Sequence, residues 1–468
     1  MDGHGIRFGT DGWRGVMCDD FVVGKVELVA QAIADYLLRA RDQRPLAVVG
    51  HDTRFFAEQF AAACAGVLAG NGVRVLAPAR ALPTPVVAFA IGQYEANGAI
   101  MLTASHNPPV YNGIKFIPEY AGPASPRITS EIEAHLARIQ PSGVRKASAF
   151  EAEECDPVPS YHEHLKELVD LDALRGLRVA LDVMYGAGSG VMREVLLGAG
   201  CEVDALHEWR DPLFGGLMPE PNDANLRELK GLIASGGFDL GLALDGDADR
   251  FGVVDSNGEL LSSNQVLAVI ALHLLEERGM RGRIVRTVAT THILDDIASA
   301  YDVECVETPV GFKHIASEML GGGVLLGGEE SGGLSVAGHV PEKDGLLADL
   351  LVAEVVAKSG RSLGETLRRI YERFGRRVTR RIDVEYPMEA KERLLGELRE
   401  RPPERIGSLG VLEVRTTDGV KYLMDRGSWI LVRPSGTEPL VRAYIEARDE
   451  TDFAVLEGWV TRLLGTGA

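Results

Sequence analysis

Ser105 lies where a buried strand gives way to a polar segment rich in turn-forming residues. The apolar run 98–102 predicts the strand, and the segment 103–108, Thr-Ala-Ser-His-Asn-Pro, predicts an exposed loop after it. A serine hydroxyl is a weak nucleophile unless a base, a cation or a metal assists it. The loop therefore indicates a reactive serine, provided that other parts of the chain bring such groups to it.

Three aspartates, Asp245, Asp247 and Asp249, directly follow a second apolar strand. Carboxylates at this spacing point to one side of an extended segment, or inward from a turn, and repel one another if they are unpaired. A site made only of oxygen ligands, with room for a phosphate oxygen, favours Mg2+. An EF-hand is excluded, because its loop needs glycine and glutamate where this chain has Arg250 and Ser256. A solvated acidic turn without a metal is the alternative.

Together with three further segments, these two motifs resemble the α-D-phosphohexomutase family, which includes phosphoglucomutases, phosphomannomutases and phosphoglucosamine mutases. The resemblance covers essentially the whole chain, and its five segments follow the family's order. The segments are Phe8–Gly15, the serine loop continuing through Tyr111–Lys115, the aspartate loop, Gly328–Gly332 and Arg433–Pro439.

The resemblance implies catalysis through a phosphoserine. Ser105 would carry the phosphoryl group, and Lys115 would act as a general acid/base or stabilise the transferring oxygens. Arg14 would face the same centre, and His106 would either orient the serine loop or simply pack there. The ligands of Mg2+ would be Ser105, in its phosphorylated form, Asp245, Asp247 and Asp249.

The resemblance also implies where a sugar phosphate binds. The phosphate that is not reacting would lie in a cradle of guanidinium, hydroxyl and backbone donors. The cradle would consist of Arg433, Ser435, Gly436 and Thr437, with Arg442 as a second cation. The sugar hydroxyls would meet Glu329 and Ser331, and the loop with Gly311 and Lys313 would cover the sugar. Lys343 would contact phosphate or sugar, and Arg250 would add positive charge beside the metal.

The expected sugar is glucose. The segment 329–331, Glu-Glu-Ser, with Glu-Lys-Asp-Gly at 342–345, is more like the phosphoglucomutases, and Gly333 stands where the mannose and glucosamine branches carry histidine. We therefore expect interconversion of glucose 1-phosphate and glucose 6-phosphate, with glucose 1,6-bisphosphate as intermediate and activator. A phosphomannomutase, a bifunctional phosphomannomutase/phosphoglucomutase and, with less support, a phosphoglucosamine mutase stay open.

Three competing interpretations concern other classes of protein. The glycine-rich segment 185–190 lacks the third glycine of a dinucleotide-binding turn and is interpreted as a tight connection between a strand and a helix. A haloacid-dehalogenase-like phosphatase prefers threonine or valine where this chain has Asp249. A catalytically silent phosphosugar-binding protein would have lost the donor, yet Ser105, Lys115 and all three aspartates are present.

Composition limits the class of protein further. A net charge of −19 argues against a nucleic-acid partner and leaves phosphate capture to local basic clusters. Five cysteines without a Cys-x-x-Cys pair disfavour a disulfide framework and structural zinc. The sequence has no signal-peptide pattern and no apolar stretch long enough for a bilayer, so a cytoplasmic monomer or homodimer without a membrane partner is expected.

The chain of 468 residues is too long for one ordinary core, and its alternating strands and helices predict open, largely parallel sheets covered by helices. We expect an α/β protein with three similar α/β domains and, as the resemblance implies, a C-terminal α+β domain, arranged around a central active-site cleft. The expected domains are 1–150 with the serine loop, 151–257 with the metal loop, 258–370 with the sugar loop and 371–468 with the phosphate cradle.

Overall fold

The computed structural model describes residues 5–9, 11–39, 44–435 and 439–465. Four β-sheets follow one another along these ranges. Short 3₁₀ turns lie at Pro141–Gly143, Leu171–Leu174, Phe214–Gly216 and Asp425–Gly427. Within the described residues, no helix is both long enough and apolar enough to cross a membrane.

The first sheet carries the serine loop. Its strands are β1 (Trp13–Val16), β2 (Leu46–His51), β3 (Arg74–Pro78), β4 (Gly98–Leu102), β5 (Tyr111–Pro118) and β6 (Glu153–Cys155), and its helices are α1 (Val23–Arg39), α2 (Ala57–Gly70), α3 (Thr84–Gln93) and α4 (Pro126–Leu136). In the order β1-β5-β4-β2-β3-β6, the pairs β4–β2, β2–β3 and β3–β6 are parallel, and β5 is antiparallel to both of its neighbours. Every residue of β4 is buried, which explains its uninterrupted apolar sequence.

The first sheet also takes in β6, which lies beyond the domain boundary that the sequence indicates at residue 150. The segment resembles a linker in sequence because it is acidic and lies near prolines. In the structure it is an edge strand parallel to β3, and Glu153 and Glu154 are exposed. Charged side chains are common on edge strands, where one side of the strand faces solvent, and they hide this strand from the sequence pattern.

The second sheet carries the metal loop. Its strands are β7 (Arg178–Asp182), β8 (Glu202–Leu206), β9 (Leu240–Leu244), β10 (Phe251–Asp255) and β11 (Leu260–Leu261), and its helices are α5 (Val158–Leu168), α6 (Val191–Gly198) and α7 (Arg227–Ala234). The order is β11-β10-β9-β7-β8, with β7 parallel to β8 and β9, and β10 antiparallel to β9. The three aspartates therefore lie in the turn of the β9–β10 hairpin. Because β11 pairs with β10, this sheet extends past residue 257.

The third sheet carries the sugar loop. Its strands are β12 (Arg283–Thr287), β13 (Cys305–Thr308), β14 (Val324–Gly328) and β15 (Leu334–Val336), and its helices are α8 (Ser263–Leu272), followed by a π-helical turn at His273–Glu277, α9 (Ile293–Ala300), α10 (Phe312–Leu320), α11 (Gly345–Ser359) and α12 (Leu363–Phe374). The order is β13-β12-β14-β15, and only β15 is antiparallel. Helix α11 is largely apolar, and nearly all of it is buried because it packs against both the second and the third sheet.

The fourth sheet differs from the others, because all its strand pairs are antiparallel. Its strands are β16 (Val378–Glu385), β17 (Arg405–Ile406), β18 (Leu409–Arg415), β19 (Val420–Met424), β20 (Trp429–Pro434) and β21 (Leu440–Ala447), and its helices are α13 (Met388–Glu400) and α14 (Glu450–Leu464). The order is β16-β21-β20-β19-β18-β17. Three mixed, largely parallel α/β units and a C-terminal α+β unit confirm the predicted fold class.

Candidate active site

Ser105 lies in the loop between β4 and β5 and is almost fully buried. Its backbone has a left-handed conformation with φ 49°, which is uncommon for a residue other than glycine. Its amide donates a hydrogen bond to Thr103 Oγ1 at 2.9 Å, and its hydroxyl donates to Asp245 Oδ2 at 2.8 Å. The loop thus directs the serine hydroxyl at the metal loop of the second sheet.

Arg54, a residue that the sequence analysis missed, holds the backbone of the serine loop. Its side chain is fully buried, and its Nε lies 3.2 Å from Asp52 Oδ2. Its terminal nitrogens donate to the carbonyl oxygens of Ser105, Asn107, Pro108 and Tyr111 at 2.6, 2.7, 3.0 and 3.0 Å. A single buried arginine produces no spacing pattern, so only its place directly after β2 could have drawn attention to it.

The three aspartates of the metal loop are buried, and their carboxylate oxygens lie within 4.8 Å of one another. Burial raises the pKa of Asp245 well above its usual range, and the charges of Asp247 and Asp249 raise it further. Asp247 and Asp249 each keep one oxygen, Oδ1, without a hydrogen-bond partner among the described residues. Burial of a carboxylate oxygen without a partner costs free energy, and such oxygens are the ligands that Mg2+ prefers. The aspartates therefore fit a divalent cation.

Two buried lysines balance the charge of this cluster. Lys115 Nζ lies 2.8 Å from Asp11 Oδ2, and it lies 3.1 Å from Oδ2 of both Asp247 and Asp249. Lys343 Nζ lies 2.6 Å from Asp249 Oδ2 and 3.5 Å from Asp11 Oδ2. Burial alone would lower the pKa of Lys115, but the three carboxylates raise it well above its usual range. Lys115 is therefore a protonated ammonium group in this arrangement.

Asp11 is a second site residue that was missed, although it lies inside the first of the five family segments. Burial would raise its pKa, but Lys115 and Lys343 hold that pKa well below its usual range. Asp11 lies just before β1 of the first domain, Asp249 in the β9–β10 turn of the second, and Lys343 just before α11 of the third. The ion pairs between these residues therefore join three domains at one point.

Three other residues expected at the centre surround the serine. Arg14, on β1, donates from Nη1 to Asn107 Oδ1 at 2.5 Å. His106 Nδ1 lies 3.4 Å from the serine hydroxyl. Burial and the charges of Arg250 and Arg14 lower the pKa of His106 well below its usual range, so its ring is neutral. Arg250 Nε lies 4.0 Å from Asp249 Oδ1, beside the metal loop as expected.

The serine loop and the metal loop approach each other so closely that only glycine fits between them. A Cβ added at Gly246 would lie 2.7 Å from the carbonyl oxygen of Ser105. On the other side, the amide of Ala187 donates to the carbonyl oxygen of Gly246 at 3.0 Å. The glycine-rich segment 185–190 thus connects β7 to α6 and supports the metal loop.

The sugar loop, residues 309–311 between β13 and α10, meets Glu329 at Gly311. Glu329 Oε1 accepts a hydrogen bond from the Gly311 amide at 2.9 Å. Burial raises the pKa of Glu329 to about 7, and the neighbouring charge of Glu330 contributes. The stem of Lys343 passes over Gly333, where an added Cβ would lie 2.6 Å from Cδ of the lysine. A side chain at position 333 would therefore displace Lys343 from its present position.

The cradle arginines face each other across two strands. Arg433, on β20, and Arg442, on β21, are directly opposed in the antiparallel ladder. Like charges in this position repel each other unless negative charge lies near them. Asp418 Oδ2 lies 2.8 Å from Arg433 Nε, and Asp383 Oδ2 lies 3.8 Å from Arg442 Nε. These two aspartates offset the repulsion and allow the arginines to lie side by side.

The remaining residues expected to bind substrate lie on loops or at the ends of elements. Ser435 follows β20 and is buried. Ser331 lies in the turn between β14 and β15, and Lys313 in the first turn of α10. Outside the described residues lie Gly436 and Thr437.

Comparison with known proteins points the same way. The family domains described as phosphoglucomutase/phosphomannomutase α/β/α domains I, II and III match residues 5–142, 159–258 and 262–374, and the C-terminal domain matches 376–457. A Thermococcus kodakarensis phosphoglucomutase/phosphomannomutase is 34% identical over 455 residues, which are 95% of each chain. A Thermobifida fusca phosphoglucosamine mutase is 33% identical over 95% of this chain and 94% of its own. A solved structure from Thermus thermophilus, provisionally named a phosphomannomutase, has a TM-score of 0.87 and 36% identity and covers 99% of this chain and 100% of its own.

Proposed function

This chain belongs to the phosphoglucomutase/phosphomannomutase family of phosphohexomutases, whose members are isomerases, and on that premise we propose that it interconverts glucose 1-phosphate and glucose 6-phosphate. The observation that carries the proposal is the hydrogen bond from the Ser105 hydroxyl to Asp245, inside a cluster of three buried aspartates and beside Lys115. Phosphoryl transfer is catalysed mainly by positioning and by cations that neutralise the transferring group, and these surroundings supply both.

The proposed reaction exchanges one phosphoryl group for another. Phosphorylated Ser105 gives its phosphoryl group to the free hydroxyl of glucose 1-phosphate, so that the bond to the serine oxygen breaks and a bond to the sugar O6 forms. The product, glucose 1,6-bisphosphate, turns over and returns its 1-phosphoryl group to Ser105, which leaves glucose 6-phosphate. The proton of the attacking sugar hydroxyl passes by way of a phosphoryl oxygen to the serine oxygen as the bond between that oxygen and phosphorus breaks, so no proton is gained or lost.

Lys115 acts as a cation in this proposal. Because Asp11, Asp247 and Asp249 hold it in its protonated form, it stabilises the negative oxygens of the transferring group. Arg14 adds positive charge on the other side of the loop. The neutral ring of His106, 3.4 Å from the hydroxyl, orients the serine.

Asp245, Asp247, Asp249 and phosphorylated Ser105 would hold Mg2+. When bound, this ion offsets the charge that develops on the phosphoryl group. The Oδ1 atoms of Asp247 and Asp249 support this assignment, because no described residue forms a hydrogen bond with them and both lysines pair with Oδ2 atoms instead.

Substrate binding is assigned to the fourth sheet and the sugar loop. The arginines of the cradle hold the phosphate that is not reacting, and the buried carboxyl of Glu329 meets the sugar hydroxyls. The proposed cradle is Arg433, Ser435, Gly436, Thr437 and Arg442. The proposed sugar contacts are Glu329, Ser331, Gly311, Lys313 and Lys343, with Arg250 beside the metal.

Glucose is the proposed sugar because of the contact between Gly333 and Lys343. Glycine at 333 leaves room for the lysine to reach Asp249, whereas the histidine of the mannose and glucosamine branches would occupy that room. The named relatives include a phosphoglucosamine mutase and a combined phosphoglucomutase/phosphomannomutase, so both alternative sugars belong in the test.

The test is a coupled assay of the purified protein with Mg2+ and catalytic glucose 1,6-bisphosphate. Glucose 1-phosphate, mannose 1-phosphate and glucosamine 1-phosphate are compared as substrates. We expect the highest kcat/KM for glucose 1-phosphate. A higher value for another sugar would overturn the specificity, and no turnover with any of the three would overturn the proposed function.

A further inference from the structure

Asp418 lies in the turn between β18 and β19 and touches two domains with one oxygen atom. Its Oδ2 accepts a hydrogen bond from Arg433 Nε at 2.8 Å, within the fourth domain. The same atom accepts a hydrogen bond from the amide of Val310 at 3.0 Å, in the sugar loop of the third domain. A cradle arginine and the sugar loop are therefore joined through a single carboxylate.

The sugar loop is held at two consecutive amides. The Val310 amide donates to Asp418, and the next amide, that of Gly311, donates to Glu329 Oε1 at 2.9 Å. Gly311 has φ 123°, in a region that favours glycine. The loop thus lies between one carboxylate of the fourth domain and one of the third, and its position depends on both.

The turn that carries Asp418 is packed against the cradle strand. Gly419 has φ 89°, and a Cβ at this position would lie 2.4 Å from the carbonyl oxygen of Val432 and 3.1 Å from Cα of Arg433. The turn that carries Asp418 and the backbone of Arg433 are therefore in close contact.

We propose that Asp418 is a positioning residue that couples phosphate binding in the fourth domain to the placement of the sugar loop in the third. This inference rests on the proposed phosphosugar substrate. Asp418 occupies the Nε edge of Arg433 and so sets the plane in which its two terminal nitrogens meet phosphate. Because the same carboxylate also holds the amide of Val310, the placement of Arg433 for phosphate and the placement of the sugar loop beside Glu329 depend on each other.

A second contact between these domains keeps Asp418 variants assembled. Lys421, on β19, is buried, and its Nζ lies 2.9 Å from Glu307 Oε2 and 2.7 Å from the carbonyl oxygen of Val288. Glu307 and Val288 belong to the third domain. Loss of Asp418 therefore leaves the domains in contact and removes the coupling alone.

The kinetic test compares Asp418→Ala and Asp418→Asn with the native protein in both directions of the reaction. Alanine removes both hydrogen bonds, whereas asparagine keeps an oxygen for Val310 and loses the charge that pairs with Arg433. We expect Asp418→Ala to raise KM for both hexose phosphates about tenfold, with a smaller change in kcat. More glucose 1,6-bisphosphate should escape per turnover, and Asp418→Asn should lie between the two. Unchanged KM and unchanged bisphosphate release would overturn the coupling.

The matched control is Glu457→Gln. Glu457 pairs with Arg380 inside the fourth domain, so this variant breaks an ion pair between arginine and carboxylate without an effect on the sugar loop. We expect its KM and its bisphosphate release to equal those of the native protein. A shift as large as that of Asp418→Ala would mean that any loss of charge in this domain has the effect, and the coupling would fail.

Hydrogen exchange tests the coupling without any turnover. In the absence of substrate, the peptide that contains Val310 and Gly311 should exchange faster in Asp418→Ala than in the native protein or in Glu457→Gln. Equal exchange in all three would overturn the proposed contact. Faster exchange in a protein without mutase activity would support the coupling and contradict only the proposed function.

Discussion

The hydroxyl oxygen of Ser105 lies 2.8 Å from Oδ2 of Asp245, although 140 positions separate the two residues and they belong to different sheets. Burial and two neighbouring carboxylates raise the pKa of Asp245, and the serine hydroxyl donates its hydrogen bond to that carboxyl. The expected phosphoryl donor and the expected metal ligands therefore form one site. Gly246 permits this approach, because any side chain at that position would meet the serine loop.

Replacing Asp247 with asparagine should weaken Mg2+ binding and phosphoryl transfer together. The substitution keeps the size of the side chain and removes one of the three charges that a hard cation needs, so we expect a loss of at least about tenfold in both. Calorimetric Mg2+ titration and activity at increasing Mg2+ concentration measure the two effects. Asp223→Asn, at an exposed ion pair with Lys230, is the control and should be unaffected. Full activity of the native protein in excess chelator, with no metal detected, would contradict the metal assignment.

Arg54→Lys should reduce both stability and turnover. A lysine cannot donate to four carbonyl oxygens at once, and Asp52 would keep a weaker partner in a buried place. We expect a loss of about 2–4 kcal/mol in the free energy of unfolding and a fall in kcat that exceeds any change in KM. Chemical denaturation and steady-state kinetics measure these effects. A stable variant with native kcat would show that the serine loop holds its conformation without Arg54.

Gly333→Ala should lower activity through Lys343. The added Cβ would lie 2.6 Å from Cδ of the lysine, so the side chain must move and its ion pair with Asp249 must weaken. We expect kcat/KM for glucose 1-phosphate to fall about tenfold, as the loss of a charge-assisted hydrogen bond implies. The control is Gly231→Ala in α7, where an added Cβ meets nothing within 4 Å. Equal kinetics for the two variants would mean that the position of Lys343 has no effect on catalysis.

Glu446→Gln should change how stability depends on pH. Burial raises the pKa of Glu446 from its ordinary value of 4.5 to about 7, while hydrogen bonds such as the one from Trp429 Nε1 oppose the rise. The folded protein thus holds this proton more tightly than the unfolded chain. The resulting stabilisation is complete below pH 4.5 and is lost as the pH rises through 7.

Relative to Glu446→Gln, the native protein should therefore lose roughly 2–3 kcal/mol of its free energy of unfolding between about pH 5 and pH 8. Denaturation midpoints of both proteins across that range measure the difference. Glutamine keeps an oxygen for the hydrogen bonds from Trp429 and from the His292 amide. A difference that stays constant with pH would mean that Glu446 does not titrate in this range.

The parts of the fold that the sequence predicted are those with a strong local pattern. The strands Gly98–Leu102 and Leu240–Leu244 have the bounds that their apolar runs indicated, because each is buried on both faces. The strands Glu153–Cys155 and Leu260–Leu261 escaped prediction. Both are short and at the edge of a sheet, and only pairing with a neighbouring strand, which is distant in sequence for Glu153–Cys155 and adjacent for Leu260–Leu261, makes them strands.

The residues of the candidate site likewise fall into those that a sequence motif marks and those that no local pattern marks. The serine, the aspartates and Lys115 lie in motifs that could be found in the sequence, and their roles stay predictions until they are tested. Arg54 and Asp418 act through carbonyl oxygens and amides of distant loops, and the sequence contains no sign of such contacts. Lys115 was expected either to act as a general acid/base or to stabilise the transferring oxygens, and its three carboxylate neighbours, which raise its pKa, favour the second role.

Peptide mapping of the phosphorylated protein tests most directly whether Ser105 carries the phosphoryl group. The native protein and Ser105→Ala are treated with glucose 1,6-bisphosphate and Mg2+, mapped by mass spectrometry, and then exposed to glucose 6-phosphate. We predict that the native protein carries phosphate on Ser105 and that this phosphate is transferred to glucose 6-phosphate, which becomes the bisphosphate. Ser105→Ala should carry no phosphate and show almost no turnover. Phosphate held stably on Asp245, or native turnover by Ser105→Ala, would contradict the proposed mechanism.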